Sequence, residues 1–331
     1  MILKWVGTGM KIQHLFEEIS GDLSKVEAGL RQFALSQEKT LTGIGTHLLR
    51  AGGKRLRPAL FLLSAKTQVY DPERLVPVAV ALELIHTASL VHDDVIDEAA
   101  TRRGRETASA KWGNLVSVLA GDFLFAQAFA AISHIADRRI IAALSQLVSN
   151  MCEGEITQFV NIFNPAQTEE EYLLRIQKKT ADFLACACDL GSYMADAGEA
   201  VTDGLKEYGY CVGMAFQITD DILDVTGDDG ELGKPVGNDL RQGIITLPAI
   251  YTLRHSPARD ELRLMLGRRS LTPGEVSRGL EIIRAAGAVE YAAGLAGQYI
   301  RRAKEMINVV QDRALREKFS LIADYVGQRS Y

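Results

Sequence analysis

Residues 75–97 read Leu75-Val-Pro-Val-Ala-Val-Ala-Leu-Glu-Leu-Ile-His86-Thr-Ala-Ser-Leu-Val-His92-Asp93-Asp94-Val-Ile-Asp97. Apolar residues recur here at helical intervals over a length that no ordinary strand reaches. Asp71-Pro72 just ahead of the run is a helix-start signal. Pro77, Glu83 and His86 interrupt its apolar character, so it reads as a core helix rather than a bilayer span. Leu115 to Ile135 is a second helical run, rich in Ala, Leu and Phe. Ile140 to Phe163 is a third and stops before Asn164-Pro165. Thr168 with Glu171 three residues later forms a capping-box pattern, opening a run toward Lys179 and on through Ala195. Thr202 to Val225 is a further helix, and Gly227 to Gly243, with five glycines and one proline, reads as a loop. Helices resume at Thr246, at Thr272-Pro273-Gly274 and from Ala288 onward. Strands never alternate with helices, which argues against a doubly wound α/β fold. The expectation is an all-α chain: one domain over residues 1–331 of ten or so helices, with N-terminal helices over 1–40.

Composition narrows the function. The 331 residues are 47% apolar and 24% charged, which excludes wholesale disorder. A net charge of -5 argues against a general nucleic-acid binder. Any bound anion must therefore be held by a local basic cluster or by metal ions. Four cysteines, Cys152, Cys186, Cys188 and Cys211, are too few for a disulfide scaffold and contain no CxxC pair. They read as reduced thiols. Met1 to Gln13 lacks the apolar core of a signal peptide. A cytoplasmic protein is expected, at most resting on a membrane.

Two motifs carry the chemistry. Asp93-Asp94-Val-Ile-Asp97 and Asp220-Asp221-Ile-Leu-Asp224 share the pattern Asp-Asp-x-x-Asp, and both close long apolar helices. Asp93 with Asp97, and Asp220 with Asp224, each aim two carboxylates one way, because i and i+4 share a helix face. Acids at a helix C-terminus oppose the helix dipole. They become favourable if Mg²⁺ lies between them and bridges to phosphate oxygens. Gly52-Gly53-Lys54-Arg55-Leu56-Arg57-Pro58 has the composition of a phosphate-binding turn, though it is not a Walker loop. Arg102-Arg103-Gly104 begins five residues after the first motif, about the length of one helical turn. Lys178-Lys179-Thr180 and Gly233-Lys234-Pro235 add further cations. His86 stands two turns before Asp93 on the same helix face.

This combination resembles the trans-isoprenyl diphosphate synthases, from about Thr46 to the C-terminus, with the motifs in that family's order. Residues 86–97, Leu232 to Gly237, Asp239 to Gly243 and Tyr325 to Arg329 resemble the catalytic subunits (component 2) of heptaprenyl diphosphate synthases in particular. The resemblance implies a bundle of long helices around a central cavity, with the two aspartate motifs at its mouth. It implies that Asp93, Asp94, Asp97, Asp220, Asp221 and Asp224 hold three Mg²⁺ on the allylic diphosphate. Arg102, Lys179, Thr180, Gln217 and Lys234 would contact that diphosphate. Lys54, Arg57, His86 and Arg103 would bind the diphosphate of isopentenyl diphosphate, and Glu155 and Gln158 would face the cavity. Asp93, Asp97, Asp220, Asp224, Arg102 and Lys179 would be the catalytic set. One departure is visible: Ile244 stands where many relatives carry a lysine, in Gly243-Ile-Ile-Thr-Leu-Pro248.

Ionising an allylic diphosphate makes a carbocation and a diphosphate anion, and cations aimed at the leaving group stabilise it. The double bond of isopentenyl diphosphate attacks, and a proton is lost, to the departing diphosphate as in relatives. The resemblance implies that the growing chain passes along the helix of the first motif, whose cavity face would carry Ser89, Ala88, Leu84 and Ala81. Short-chain relatives block this path with an aromatic residue at the fifth position before the motif, which here is Ala88. A long product is therefore expected, with Leu84, or Phe123 and Phe125, as its floor. The resemblance implies a heptaprenyl product from farnesyl diphosphate, used for a menaquinone side chain. Hexaprenyl, octaprenyl and geranylgeranyl products remain open. A terpene cyclase is disfavoured by the intact second motif and the Gly52 to Pro58 turn. A non-catalytic regulatory subunit is disfavoured because every motif aspartate is present. The relatives pair as homodimers, or as heterodimers with a small non-homologous subunit without which the catalytic chain is inactive. Leu115 to Ile135 is the candidate pairing surface.

Overall fold

The computed structural model describes residues 12–135, 137–227 and 236–327. A 3₁₀ segment, Ile12–Ile19, leads into α1 (Ser20–Phe33), α2 (Lys39–Arg50), α3 (Leu56–Ala65) and α4 (Pro72–Ile96). A hairpin of two-residue strands, β1 (Thr101–Arg102) and β2 (Arg105–Glu106), follows. Then come α5 (Ala108–Trp112), α6 (Asn114–Ile132), α7 (Arg138–Val160) and α8 (Glu169–Ile176), a π-helical segment Gln177–Ala181, and α9 (Asp182–Met194). The remainder is α10 (Glu199–Thr226), α11 (Asn238–Gln242), α12 (Leu247–His255), α13 (Arg259–Leu266), α14 (Pro273–Ala285), α15 (Ala288–Met306) and α16 (Arg313–Gly327). The all-α class read from the periodicity holds, and the one sheet among the described residues is the hairpin.

Local chemistry accounts for the helix starts. Asp71 caps α4 by accepting from the Glu73 N–H at 3.1 Å, and Pro72 occupies the first turn, where its missing N–H costs nothing. Thr168 and Glu171 form the expected capping box on α8, and Thr272 with Glu275 forms another on α14. Two differences from the sequence reading concern the site. The helix of the first motif ends at Ile96, so Arg102 and Arg103 lie on the hairpin rather than on a further turn. The Gly227 to Gly243 loop contains α11, bracketed by Gly237 and Gly243, whose φ values of 72° and 76° suit a residue without Cβ. Lys234 falls outside the described residues.

Contacts group the chain into two compact units. The first comprises Met1–Ser145, Ala187–Leu205 and Val310–Leu315, the second Gln146–Cys186, Lys206–Val309 and Arg316–Tyr331. In the first, α4 packs on α6, α1 and α3. Its core includes Leu60, Phe61, Leu62, Val78, Leu82 and Ile85, all essentially without exposed surface. Each such side chain contributes about 1.5–3 kcal/mol of burial. α4 and α6 are long and apolar enough to cross a membrane by length and composition, more so than the interrupted run suggested, and most of α4 is spent on this core. In the second unit Tyr172, Met214, Ile218, Ile222, Leu247 and Ile250 belong to one buried cluster, with α12 packed on α15.

Candidate active site

In the first unit, the last turns of α4 carry the first aspartate motif. Asp93 and Asp97 are half-buried and share a face, as the spacing requires. Asp94 is buried and accepts from Arg102 Nε at 2.6 Å. α4 is held to α6 at this level by His92, whose Nε2 lies 3.0 Å from the Val118 carbonyl. Gly121 makes room for that imidazole, since a Cβ at this position would collide with the ring.

The hairpin folds the basic residues back toward α4. Arg103 and Gly104 form its two-residue turn with φ of 53° and 72°, the left-handed pair of a tight hairpin. Arg103 donates to the Gly52 carbonyl on the Gly-Gly-Lys-Arg turn. His47 Nε2, 2.7 Å from the Glu106 carbonyl, ties α2 to the second strand. Gly52, Arg55, Glu83, His86, Arg102 and Arg103 line one cleft. Arg57 Nη1 lies 3.1 Å from His86 Nε2. Burial, then the charges of Arg57, Arg103, Arg102 and Arg55, push the His86 pKa well below its ordinary value, so the ring is a neutral acceptor toward Arg57. Burial also lowers Arg57 to about 10, against the opposing pull of Glu83. Arg57, His86 and Arg103, expected as one phosphate-binding set, thus come together; Lys54 is half-buried on the same turn.

In the second unit, the second motif closes α10. Asp221 is buried and takes two hydrogen bonds, from Tyr172 Oη to Oδ2 and from Gln217 Nε2 to Oδ1, each 2.8 Å. Thr180 Oγ1 donates to Gln217 Oε1 at 2.9 Å, which joins the Lys-Thr pair to the motif. Burial, then the charge of Asp239, raises the Asp221 pKa. Asp224 accepts from the backbone N–H groups of Asn238 and Asp239 at 3.1 and 3.2 Å, capping α11. Asp220 is half-buried. Lys179 and Thr180 sit in the π-helical segment, an irregularity often found at functional positions. Lys179 Nζ is 2.5 Å from Glu155 Oε2, and Gln158 Nε2 donates to Glu155 Oε1 at 3.2 Å. Gly154 permits this approach, because a Cβ there would stand 3.1 Å from Lys178 Cβ and 3.2 Å from the Lys179 nitrogen.

Of the chain-length candidates, Ala81, Leu84 and Ala88 are buried, whereas Ser89 keeps partial exposure and donates to the His86 carbonyl at 2.9 Å. Phe123 is half-buried. Phe125 stands beside His92, ring centroids 5.7 Å apart, at the motif end of α4 rather than two turns below it. Glu83, Glu27 and Tyr172 escaped the sequence reading. Glu83 had a signal, a lone carboxylate inside an apolar helical run; the others had none, since their partners are far away in sequence. Among the described residues no three Asp, Glu, His or Cys side chains close a metal site by themselves. Carboxylates in i, i+4 pairs are nonetheless the hard oxygen donors that Mg²⁺ accepts, with phosphate oxygens completing its shell.

The polyprenyl synthetase family model matches residues 38–283. Component 2 of heptaprenyl diphosphate synthase from Geobacillus stearothermophilus is 40% identical over 97% of this chain and 100% of its own length. A short chain isoprenyl diphosphate synthase from Methanothermobacter thermautotrophicus is 39% identical over 88% of this chain and 91% of its own. The crystal structure of a Caulobacter crescentus polyprenyl synthase, complexed with calcium and isoprenyl diphosphate, superposes with a TM-score of 0.92 at 32% identity, covering 98% of this chain and 100% of that one. With its two aspartate motifs and basic turn on an all-helical frame, the chain belongs to the polyprenyl synthetase family and is a prenyltransferase that makes polyprenyl diphosphates.

Proposed function

We propose that this chain is a long-chain all-trans synthase that adds isopentenyl diphosphate stepwise to farnesyl diphosphate, ending at heptaprenyl diphosphate. The observation that carries this reading is the absence of any ring at the fourth and fifth positions before Asp93, where Ser89 and Ala88 stand. Likeness to relatives does not decide product length, because the heptaprenyl and short-chain relatives match almost equally well.

Arg57, His86, Arg103 and Lys54 take the diphosphate of isopentenyl diphosphate. Guanidinium forks suit bidentate capture of phosphate, and the neutral His86 keeps Arg57 oriented. Arg102, Lys179, Thr180, Gln217 and Lys234 take the allylic diphosphate, on which Arg102 and Lys179 exchange their carboxylate partners for phosphate oxygens. Asp93, Asp94, Asp97, Asp220, Asp221 and Asp224 would hold Mg²⁺, three ions on the allylic diphosphate. Held by these carboxylates, Mg²⁺ would supply Lewis-acid stabilisation of the charge on the leaving diphosphate. The departing diphosphate accepts the proton released after coupling, and the apolar surface of α4 keeps water from the cation. Ile244 leaves one family cation out, so Lys234 and the metal ions would bear that part of the binding.

A second reading concerns assembly. Leu115, Val118 and Leu119 on α6 are 76%, 40% and 56% exposed, an apolar face that suits a second copy or a small non-homologous subunit. The whole chain acts as one synthase domain in the cytoplasm, supplying a quinone side chain such as that of menaquinone and releasing its apolar product at a membrane surface. The test is product length from the purified chain with labelled isopentenyl diphosphate, farnesyl diphosphate, Mg²⁺ and detergent. A seven-unit product supports the proposal. A product of four units or fewer overturns it, and a folded chain that makes no product assigns it an obligatory partner.

A further inference from the structure

Arg55 belongs by sequence to the basic turn, yet its guanidinium is committed elsewhere. Its Nε lies 2.5 Å from Glu27 Oε1 on α1, and its Nη1 lies 2.6 Å from Glu83 Oε1 on α4. The Arg55 and Glu83 side chains are 13% and 4% exposed. A guanidinium spanning two carboxylates is a strut, not a ligand waiting for phosphate. The backbone agrees: Arg55 has φ 49° and ψ 33° at the start of α3, a left-handed conformation that a residue with Cβ adopts only when its surroundings impose it. Gly53 rests on the same group. A Cβ there would stand 2.8 Å from Arg55 Nη1 and 3.1 Å from Arg103 Nη1. The turn that carries Lys54 and leads to Arg57 is therefore folded over the Arg55 guanidinium, and Arg103 closes it by donating to the Gly52 carbonyl.

Glu83 sits at the centre of this arrangement. It lies three residues before His86 and so shares its helix face. A buried carboxylate is costly unless paired, and here it faces Arg55 directly, with Arg57 beyond. We infer that Glu83 and Arg55 are positioning residues for the isopentenyl diphosphate site: the pair holds the Gly52–Arg57 turn in its left-handed fold, which presents Lys54, Arg57 and Arg103 to the diphosphate. The inference rests on the reading that those three residues and His86 bind that substrate.

The sign of one effect separates this role from direct binding. If Arg55 were itself a phosphate ligand restrained by Glu83, neutralising Glu83 would release a cation and tighten binding of the anionic substrate. If the pair is a strut, the same change loosens the turn and weakens binding. Glu83→Gln keeps the size and one acceptor oxygen while removing the charge. The expected result is a rise of about tenfold or more in KM for isopentenyl diphosphate, a fraction of what losing one partner of a buried charge pair costs. The KM for the allylic primer and the product length stay the same. Arg55→Lys, a point charge that cannot reach both carboxylates, follows the same pattern. Glu27→Gln gives a smaller rise through the more exposed anchor, 32% accessible, and serves if Glu83→Gln fails to fold. Unchanged or lowered KM for isopentenyl diphosphate in Glu83→Gln overturns the inference, as does an equal rise for both substrates. Arg57→Gln measured alongside tests the underlying reading separately. If it leaves KM for isopentenyl diphosphate untouched, the site assignment fails, whatever Glu83→Gln does.

Discussion

Removing the hydroxyl of Tyr172 tests how the second aspartate motif is held. Its Oη donates to Asp221 Oδ2 at 2.8 Å, and both residues are buried, at 0% and 3% exposure. Tyr172→Phe keeps the ring and its packing but leaves one oxygen of a buried carboxyl without its donor. No water reaches the site cheaply, so the cost is that of an unsatisfied buried acceptor, about 1–3 kcal/mol. Urea unfolding followed by circular dichroism should show this as a lower midpoint at unchanged slope. The same loss of alignment should appear in turnover. If about 2 kcal/mol of it is expressed in the transition state, the rate falls about thirtyfold. Gln217 Nε2 donates to the other oxygen at 2.8 Å, so Tyr172→Phe and Gln217→Leu act on one network. Their double mutant should depart from additivity by about 0.5–3 kcal/mol. Unchanged midpoint and unchanged turnover in Tyr172→Phe would mean that this hydroxyl does not hold Asp221, and strict additivity would show that the two bonds act independently.

Asp93→Ala and Asp220→Ala should each reduce turnover by orders of magnitude with the helical spectrum intact; near-normal rates would remove both from the site. Ser89→Phe should shorten the product at little cost in stability, since Ser89 keeps accessible surface. Ala88→Phe should shorten it too, but with about 1–3 kcal/mol of destabilisation, because Ala88 is fully buried and the ring must displace neighbours; chromatography of the products and thermal melts check both. His86 gives a pH effect of definite sign. Its folded pKa is depressed, so its contribution to stability is fully present above the unfolded pKa of about 6.5 and is lost as pH falls through that value toward the folded one. Unfolding free energy measured from pH 7.5 to 5 should fall less steeply in His86→Gln than in the parent chain, and parallel curves would contradict the assignment.

The helical class and the charged motifs are legible in the residues alone. Helical periodicity in residues 75–97 and the runs after it is a local property, and so are the Thr168 and Thr272 caps, which is why they could be read directly. The i, i+4 placement of Asp93 with Asp97 and of Asp220 with Asp224 follows from helix geometry alone. Which partner each charged group takes is not legible there. Arg102 turns to Asp94 because a left-handed Arg103-Gly104 turn reverses the chain, where spacing alone suggested another helical turn. Asp221 meets Tyr172 from 49 residues away, and Arg55 meets Glu27 and Glu83 from 28 residues on either side. Such pairings depend on how helices pack, and packing is set by the summed fit of many apolar side chains rather than by the charged residues. A charge can therefore be recognised in the sequence as important, while the partner it takes is fixed only when the helices come together.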